Sequence, residues 1–348
     1  MKHILFIVLV CCGISLHAQD PHYSQFYAAP QYLNPAMTGV FQGQFRATVN
    51  YRDQWNSILA GSPYRSTNVG LDYRVPVVNE DYIGLGINLM SDKAGLSGFT
   101  QNRAHFGASY MKQLSGGRYR SNNQYLVAGF QAGAGQHSFD YNNLWFSEQF
   151  DKGQNAPNAT LANGEANLQA TTKVYTDINA GLMWYALLGE SKSIYIGGAA
   201  NHVNTPIASF TTNGKDKINL RWLGHIGGEF PLSDELSILP AFIYMQQGKS
   251  TMINFGTNMR YNNHDWREVA IRIGVWTRIS NKLASGYNND AIIVSSFLEM
   301  EKFMIGLSYD INISKLNIAT NNRGAFEVSL IYTQPENRSK ATVNCPKF

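Results

Sequence analysis

The chain has 348 residues, with 28 basic side chains against 24 acidic ones, 15% charged residues and 12% aromatics, 19 of them tyrosine. A net charge of +4 with no arginine-rich arm or basic stripe excludes nucleic acid as a partner. Cys11 and Cys12 lie in an N-terminal apolar run, which leaves Cys345 alone and excludes an intramolecular disulfide framework.

From the start of the chain, residues 1–18 read as a secretory signal. Lys2 and His3 form a basic n-region, Ile4 to Cys12 an apolar core, and Leu16-His17-Ala18 a cleavage site ahead of Gln19. The apolar run is too short for a membrane helix, which needs roughly 20 such residues. Residues 19–42 do not alternate and carry Tyr23, Phe26, Tyr27, Tyr32 and Phe41. They are expected to form a periplasmic or lumen segment.

From Phe45 onward, period-2 alternation dominates. Phe45, Ala47, Val49 and Tyr51 interleave with Arg46, Thr48, Asn50 and Arg52. Val269, Ile271, Ile273 and Val275 interleave with Glu268, Ala270, Arg272 and Gly274, and Phe303 to Asn312 repeats the pattern. About fourteen strands follow, near 45–54, 64–75, 82–91, 100–113, 124–138, 173–187, 193–203, 219–231, 236–247, 251–261, 267–278, 290–299, 302–312 and 323–333. Most exceed the five or six residues of an ordinary globular strand and match the nine to eleven that cross a bilayer. The odd-numbered connections include the long 139–172 and 204–218 segments, whereas the even-numbered ones are mostly short. Short turns on one side and longer loops on the other are the pattern of an outer-membrane barrel. The sequence thus predicts an all-β, antiparallel transmembrane barrel over 43–333, with N and C termini periplasmic, and a periplasmic tail at 334–348.

Charges on the polar face belong in the lumen, because each would cost roughly 2–4 kcal/mol at mid-depth in lipid. They are Arg46, Arg52, Asp72, Arg74, Arg103, Asp177, Arg221, Glu229, Arg260, Glu268, Arg272, Asp310 and Glu327. Arginine at Ile271 or Ile305 is expected to damage assembly, and at Gly274 or Ser308 to be better tolerated electrostatically, with crowding as a separate cost.

Catalytic signatures such as G-x-S-x-G, H-E-x-x-H or a P-loop are missing. His105, His202, His225 and His264 fall among lumen serines and aspartates, which suggests a barrel hydrolase only weakly. The chain is expected to be no enzyme, with no cofactor and no metal.

Three segments are more specific. Gln19-Asp20-Pro21-His22-Tyr23-Ser24-Gln25-Phe26 precedes Leu33-Asn34-Pro35-Ala36-Met37-Thr38-Gly39. Asn50-Tyr51-Arg52-Asp53-Gln54-Trp55 comes next, and Gly197 to Pro206 contains Asn201-His202-Val203-Asn204. Together with the terminal Cys345-Pro346-Lys347-Phe348, they resemble the PorP/SprF family of type IX secretion outer-membrane proteins, in order and over nearly the whole chain. The resemblance implies a place in the protein-secretion and gliding apparatus of Bacteroidota. Its partners would be the secretion machinery and a surface client, such as a large adhesin, bearing a C-terminal secretion domain. A passive porin or hydrophobic-solute channel is the alternative.

Candidate partner-binding residues are Tyr141, Trp145 and Phe146 in the long excursion, with Asn34, Pro35, Arg52, Trp55 and His202 in the three segments. Each also has a structural reading. Asn34-Pro35 can cap a turn, Trp55 can be an interface aromatic, Arg52 a lumen ion-pair member, and His202 a partner of a loop carbonyl. The aromatics of 139–172 are read as either a contact patch or a lumen lid.

Overall fold

The computed structural model describes residues 20–56, 58–59, 61–77, 80–116, 122–158, 160–189, 192–263, 269–281, 286–315 and 317–335. The signal, His264, Glu268 and the tail beyond residue 335, with Cys345, lie outside them.

Fourteen strands close into one antiparallel barrel. They are β1 (Phe45–Gln54), β2 (Tyr64–Pro76), β3 (Tyr82–Ala94), β4 (Phe99–Ser115), β5 (Asn122–Ser138), β6 (Tyr175–Leu188) and β7 (Lys192–Asn201). The second half comprises β8 (Arg221–Pro231), β9 (Leu236–Gln247), β10 (Ser250–Asn262), β11 (Ala270–Asn281), β12 (Tyr287–Glu299), β13 (Phe303–Asn312) and β14 (Arg323–Gln334). Closure is made by β1 against β14, with Val49 opposite Leu330 and Arg52 opposite Glu327. Closing the sheet pairs every strand on both sides, which lets β-structure sit in hydrocarbon without unsatisfied backbone.

The outer face carries a band of apolar side chains: Leu85, Phe106, Ile273, Val275 and Leu307 are all exposed side chains of the wall. Among the described residues the expected lumen charges point inward, from Arg46 and Arg52 through Asp310 and Glu327, each 5% exposed or less except Arg260. Val275 is mid-strand on the lipid face and 57% exposed. Val275→Arg is therefore expected to destabilise the barrel by roughly 2–4 kcal/mol, read in urea titrations in lipid vesicles, and Val275→Leu to be near neutral.

At the two inward positions crowding is the obstacle. A Cβ on Gly274 would come within 2.6 Å of Ser295 Oγ and 2.8 Å of Trp276 Nε1. Ser308 is 4% exposed and accepts a hydrogen bond from Gln25 Nε2. Arginine at either site has no space, because the lumen is packed and not solvated.

What packs it is the chain before β1. Residues 20–41 form short turns, Phe26–Ala28, Pro30–Leu33 and Pro35–Met37, almost wholly buried inside the barrel. Phe26, Tyr27, Leu33, Ala36, Met37 and Val40 form one apolar cluster with inward-facing Met111, Tyr125, Met183, Tyr185, Tyr195, Ile243 and Trp276. Half of the lumen is thus an ordinary hydrophobic core.

The strand count places the start of β1 and the end of β14 together at the end with short connections, called the turn end. The opposite, loop-rich end carries the long connections after β5 and β7. Asp20 lies there, against Gln247 at the end of β9 and Arg221 at the start of β8. The expectation that both termini share one side therefore fails for the described N-terminal residues. Strand parity fixes where β1 begins but not the path of the chain before it, which runs from the loop-rich end through the lumen to the turn end.

Candidate functional site: a lumen plug and its socket

The plug is held at four levels. At the turn end, Arg46 pairs with Asp72 at 2.6 Å and donates to the carbonyls of Met37 and Val40. Asp72 also accepts from Gly39 N–H at 2.7 Å, and Arg74 donates to Phe41 O at 2.8 Å. Gly39 has φ +76, and a Cβ there would lie 2.6 Å from Gly84 Cα, so this turn needs glycine both for its backbone and for its closeness to the wall.

At mid-depth, Asn34 accepts from Ala36 N–H at 2.9 Å, which caps the turn begun by Pro35. Its amide meets His225 Nε2 at 2.9 Å. The wall gives way here: a Cβ on Gly129 would lie 2.3 Å from Ala36 N, and one on Gly197 would lie 2.5 Å from His225 Nε2.

Nearer the loop-rich end, Ser24 and Gln25 donate their backbone N–H groups to the two oxygens of Glu327 at 2.8 and 2.9 Å. Arg52 bridges Glu327 at 3.2 Å and Asp310 at 2.8 Å. Arg278 reaches the same Asp310 oxygen at 2.8 Å and Asp290 at 2.6 Å. Ser24 Oγ donates to Asp310 at 2.7 Å and accepts from Arg52 at 2.7 Å and Arg278 at 3.1 Å. Sequence reading missed Arg278, whose only signal was its alternation with Trp276 at the boundary of a predicted strand.

At the mouth, Asp20 binds Arg103, His202 Nε2 at 2.7 Å and Arg221 at 3.3 Å. Asp177 takes His202 Nδ1 at 2.7 Å. His202 is 1% exposed and sits at φ +59, a conformation uncommon for a non-glycine residue and fixed here by contacts on both ring nitrogens. Burial opposes charge on the imidazole, but Asp20 and Asp177 outweigh it and raise its pKa above the ordinary histidine value. Burial likewise opposes charge on Asp20, and Arg103, His202 and Arg221 outweigh that to hold its carboxyl well below the usual range.

The three sequence segments therefore meet in one place. The first is the plug, the second supplies Asn50 and Arg52 around Ser24 and Glu327, and the third supplies Gly197 and His202. Asn34, Pro35, Arg52 and His202 are buried in the lumen, away from any surface a partner could touch while the plug is seated. Trp55 lies at the loop-rich rim, edge-on to Tyr64 with ring centroids 5.3 Å apart.

The long excursion forms a separate cluster at that rim. Phe99, Phe210, Phe139, Tyr141 and Phe146 meet in series through edge-on and tilted ring contacts, with centroids 4.8–6.3 Å apart. Tyr141 donates to Leu168 O at 2.5 Å. Tyr141 and Phe146 are half-buried in this series, whereas Trp145 is 57% exposed and lies beside Phe150, itself 38% exposed.

No curated protein matches the chain. Among solved structures, the CymD monoaromatic hydrocarbon channel is 10% identical, with 89% of this chain and 93% of that one covered and a TM-score of 0.47. The Ralstonia pickettii toluene transporter TbuX is 12% identical over 88% and 93%, with a TM-score of 0.46. A Pseudomonas aeruginosa FadL homologue is 11% identical over 86% and 92%, with a TM-score of 0.45. Likenesses this low carry nothing about what the barrel does. The family model described as type IX secretion system membrane protein PorP/SprF matches residues 15–332. An outer-membrane barrel whose signature segments build a plug and its socket, the chain belongs to the PorP/SprF family of type IX secretion system membrane proteins.

Proposed function

We propose that this protein is a non-conducting, non-catalytic surface anchor of the type IX machinery, holding an exported client at its loop-rich end. That end faces the cell exterior in this reading, and the end of β14 faces the periplasm. The observation that carries it is the occupied lumen: a passive porin or solute channel needs a path, and residues 20–41 fill it. Beside Asp20 and His22 the remaining cavity is about 30 Å³, room for a water or so and not for a solute.

With the lumen filled, recognition falls to the rim. Trp145 and Phe150 form an exposed aromatic pair on a loop that the wall does not need for its hydrogen bonds, and buried aromatic anchors dominate binding where partners meet. The lid reading has less to support it, since the plug already closes the barrel beneath. Trp145→Ala is expected to weaken client binding by about 2 kcal/mol, roughly thirtyfold. Surface labelling of the client should fall while heat-modifiable migration of the barrel is unchanged. Normal client display in a Trp145→Ala, Phe150→Ala double variant would overturn the rim as the contact.

A further inference from the structure

Two guanidiniums and an imidazole carried by three separate parts of the chain converge on one carboxylate. Arg103 comes from β4, Arg221 opens β8, and His202 follows β7; their side chains are 5% exposed or less. Asp177 lies behind His202 and compensates only part of this charge. Without Asp20, the guanidiniums of Arg103 and Arg221 would lose the buried carboxylate that they share with the His202 ring, a strongly unfavourable arrangement. The wall here is built for an anion, and the plug's first described residue supplies it.

Beyond these ion pairs, residues 20 and 21 are held through the backbone: Asp20 N–H donates to Gln247 Oε1 at 2.8 Å, and Pro21 O accepts from Tyr32 OH at 2.6 Å. The anchors that follow are Tyr23, buried and edge-on to Tyr32, and Ser24. Residues 20–22 can therefore lift away without disturbing the apolar half of the plug.

We propose that Arg103, His202 and Arg221 form a carboxylate receptor at the loop-rich mouth, filled here by the chain's own Asp20. A carboxylate of a polypeptide held at the rim replaces Asp20 when residues 20–22 lift. The replacement rests on the anchor reading above; the receptor does not. An internal ligand competes at an effective concentration in the mM range, so the parent protein masks the site and Asp20→Ala exposes it.

The test uses the full mature chain in detergent. Asp20→Ala is expected to lower the temperature at which heat-modifiable migration is lost. Sodium acetate or formate should restore most of that loss, sodium chloride at equal ionic strength should not, and the parent should be unmoved by either. Adding Arg103→Gln should abolish the acetate effect. If Asp20→Ala does not fold alone, the same salts are compared during refolding, and acetate must raise the folded yield. Acetate no better than chloride in either format overturns the receptor.

Two labelled peptides of one apolar sequence then distinguish the source of the carboxylate. One has a free C-terminus, and the other is C-terminally amidated with a single internal Asp. Binding to Asp20→Ala about tenfold or more tighter than to the parent supports replacement, and the peptide that binds names the source, chain terminus or side chain. Acetate rescue with neither peptide binding keeps the receptor and overturns replacement from outside.

Discussion

Deleting residues 20–41 is expected to convert a silent barrel into a conducting one in planar bilayers. The wall makes its own backbone hydrogen bonds, so it survives loss of the plug. A fourteen-stranded barrel is wider than the eight-stranded kind that side chains alone can fill, and the deletion opens an aqueous path. The conductance should favour anions. The deleted segment carries Asp20, and its removal leaves Arg103, Arg221 and His202 facing Asp177 at the mouth. Stability should fall as well. Phe26, Tyr27, Leu33, Met37 and Val40 are each 6% exposed or less, and burying a large apolar side chain contributes roughly 1.5–3 kcal/mol. A folded deletion variant with no conductance would mean that something besides residues 20–41 closes the lumen.

Arg52→Gln is expected to be among the most damaging single substitutions. It would leave Asp310 to Arg278 and Glu327 without its cation, both carboxylates being 1% exposed or less. Removing one member of a buried ion pair costs about 3–5 kcal/mol, because the remaining charge is uncompensated. Equilibrium unfolding in urea should show this loss. Arg52→Met combined with Glu327→Met should cost clearly less than the two single changes added, since the pair is then removed whole. A loss under about 1 kcal/mol for Arg52→Gln would instead describe an exposed surface pair.

Much of the wall was legible in the sequence, because period 2 is a local property and lipid enforces it. β9 spans 236–247 as read, and β1 spans 45–54. Ends moved where polar residues extend a strand past the bilayer, as in β4, which continues to Ser115, and β12, which starts at Tyr287. Inward charges were legible for the same reason. The plug was not. Residues 20–42 have no period, and their partners are far along the chain: Ser24 meets Glu327 and Asn34 meets His225. Nothing local tells an aromatic segment in the lumen from one in the periplasm. Asn34, Arg52 and His202 hold the plug, and among the excursion's aromatics only contacts separate exposed Trp145 from half-buried Tyr141 and Phe146.

The account turns on residues 20–41 lying inside the barrel in the outer membrane, and a cysteine pair tests it most directly. A Cβ on Gly107 would lie 3.3 Å from Thr38 Oγ1, which brings side chains at the two positions within bonding reach of each other. Thr38→Cys and Gly107→Cys are introduced together in a chain whose native Cys11, Cys12 and Cys345 are replaced by serine. Outer membranes are oxidised, digested without reduction and analysed by mass spectrometry. The account predicts a disulfide-joined peptide pair linking positions 38 and 107, and, in the Thr38→Cys single variant, protection of the introduced thiol from an impermeant maleimide. Unlinked peptides, with the thiol at position 38 freely labelled, would contradict it.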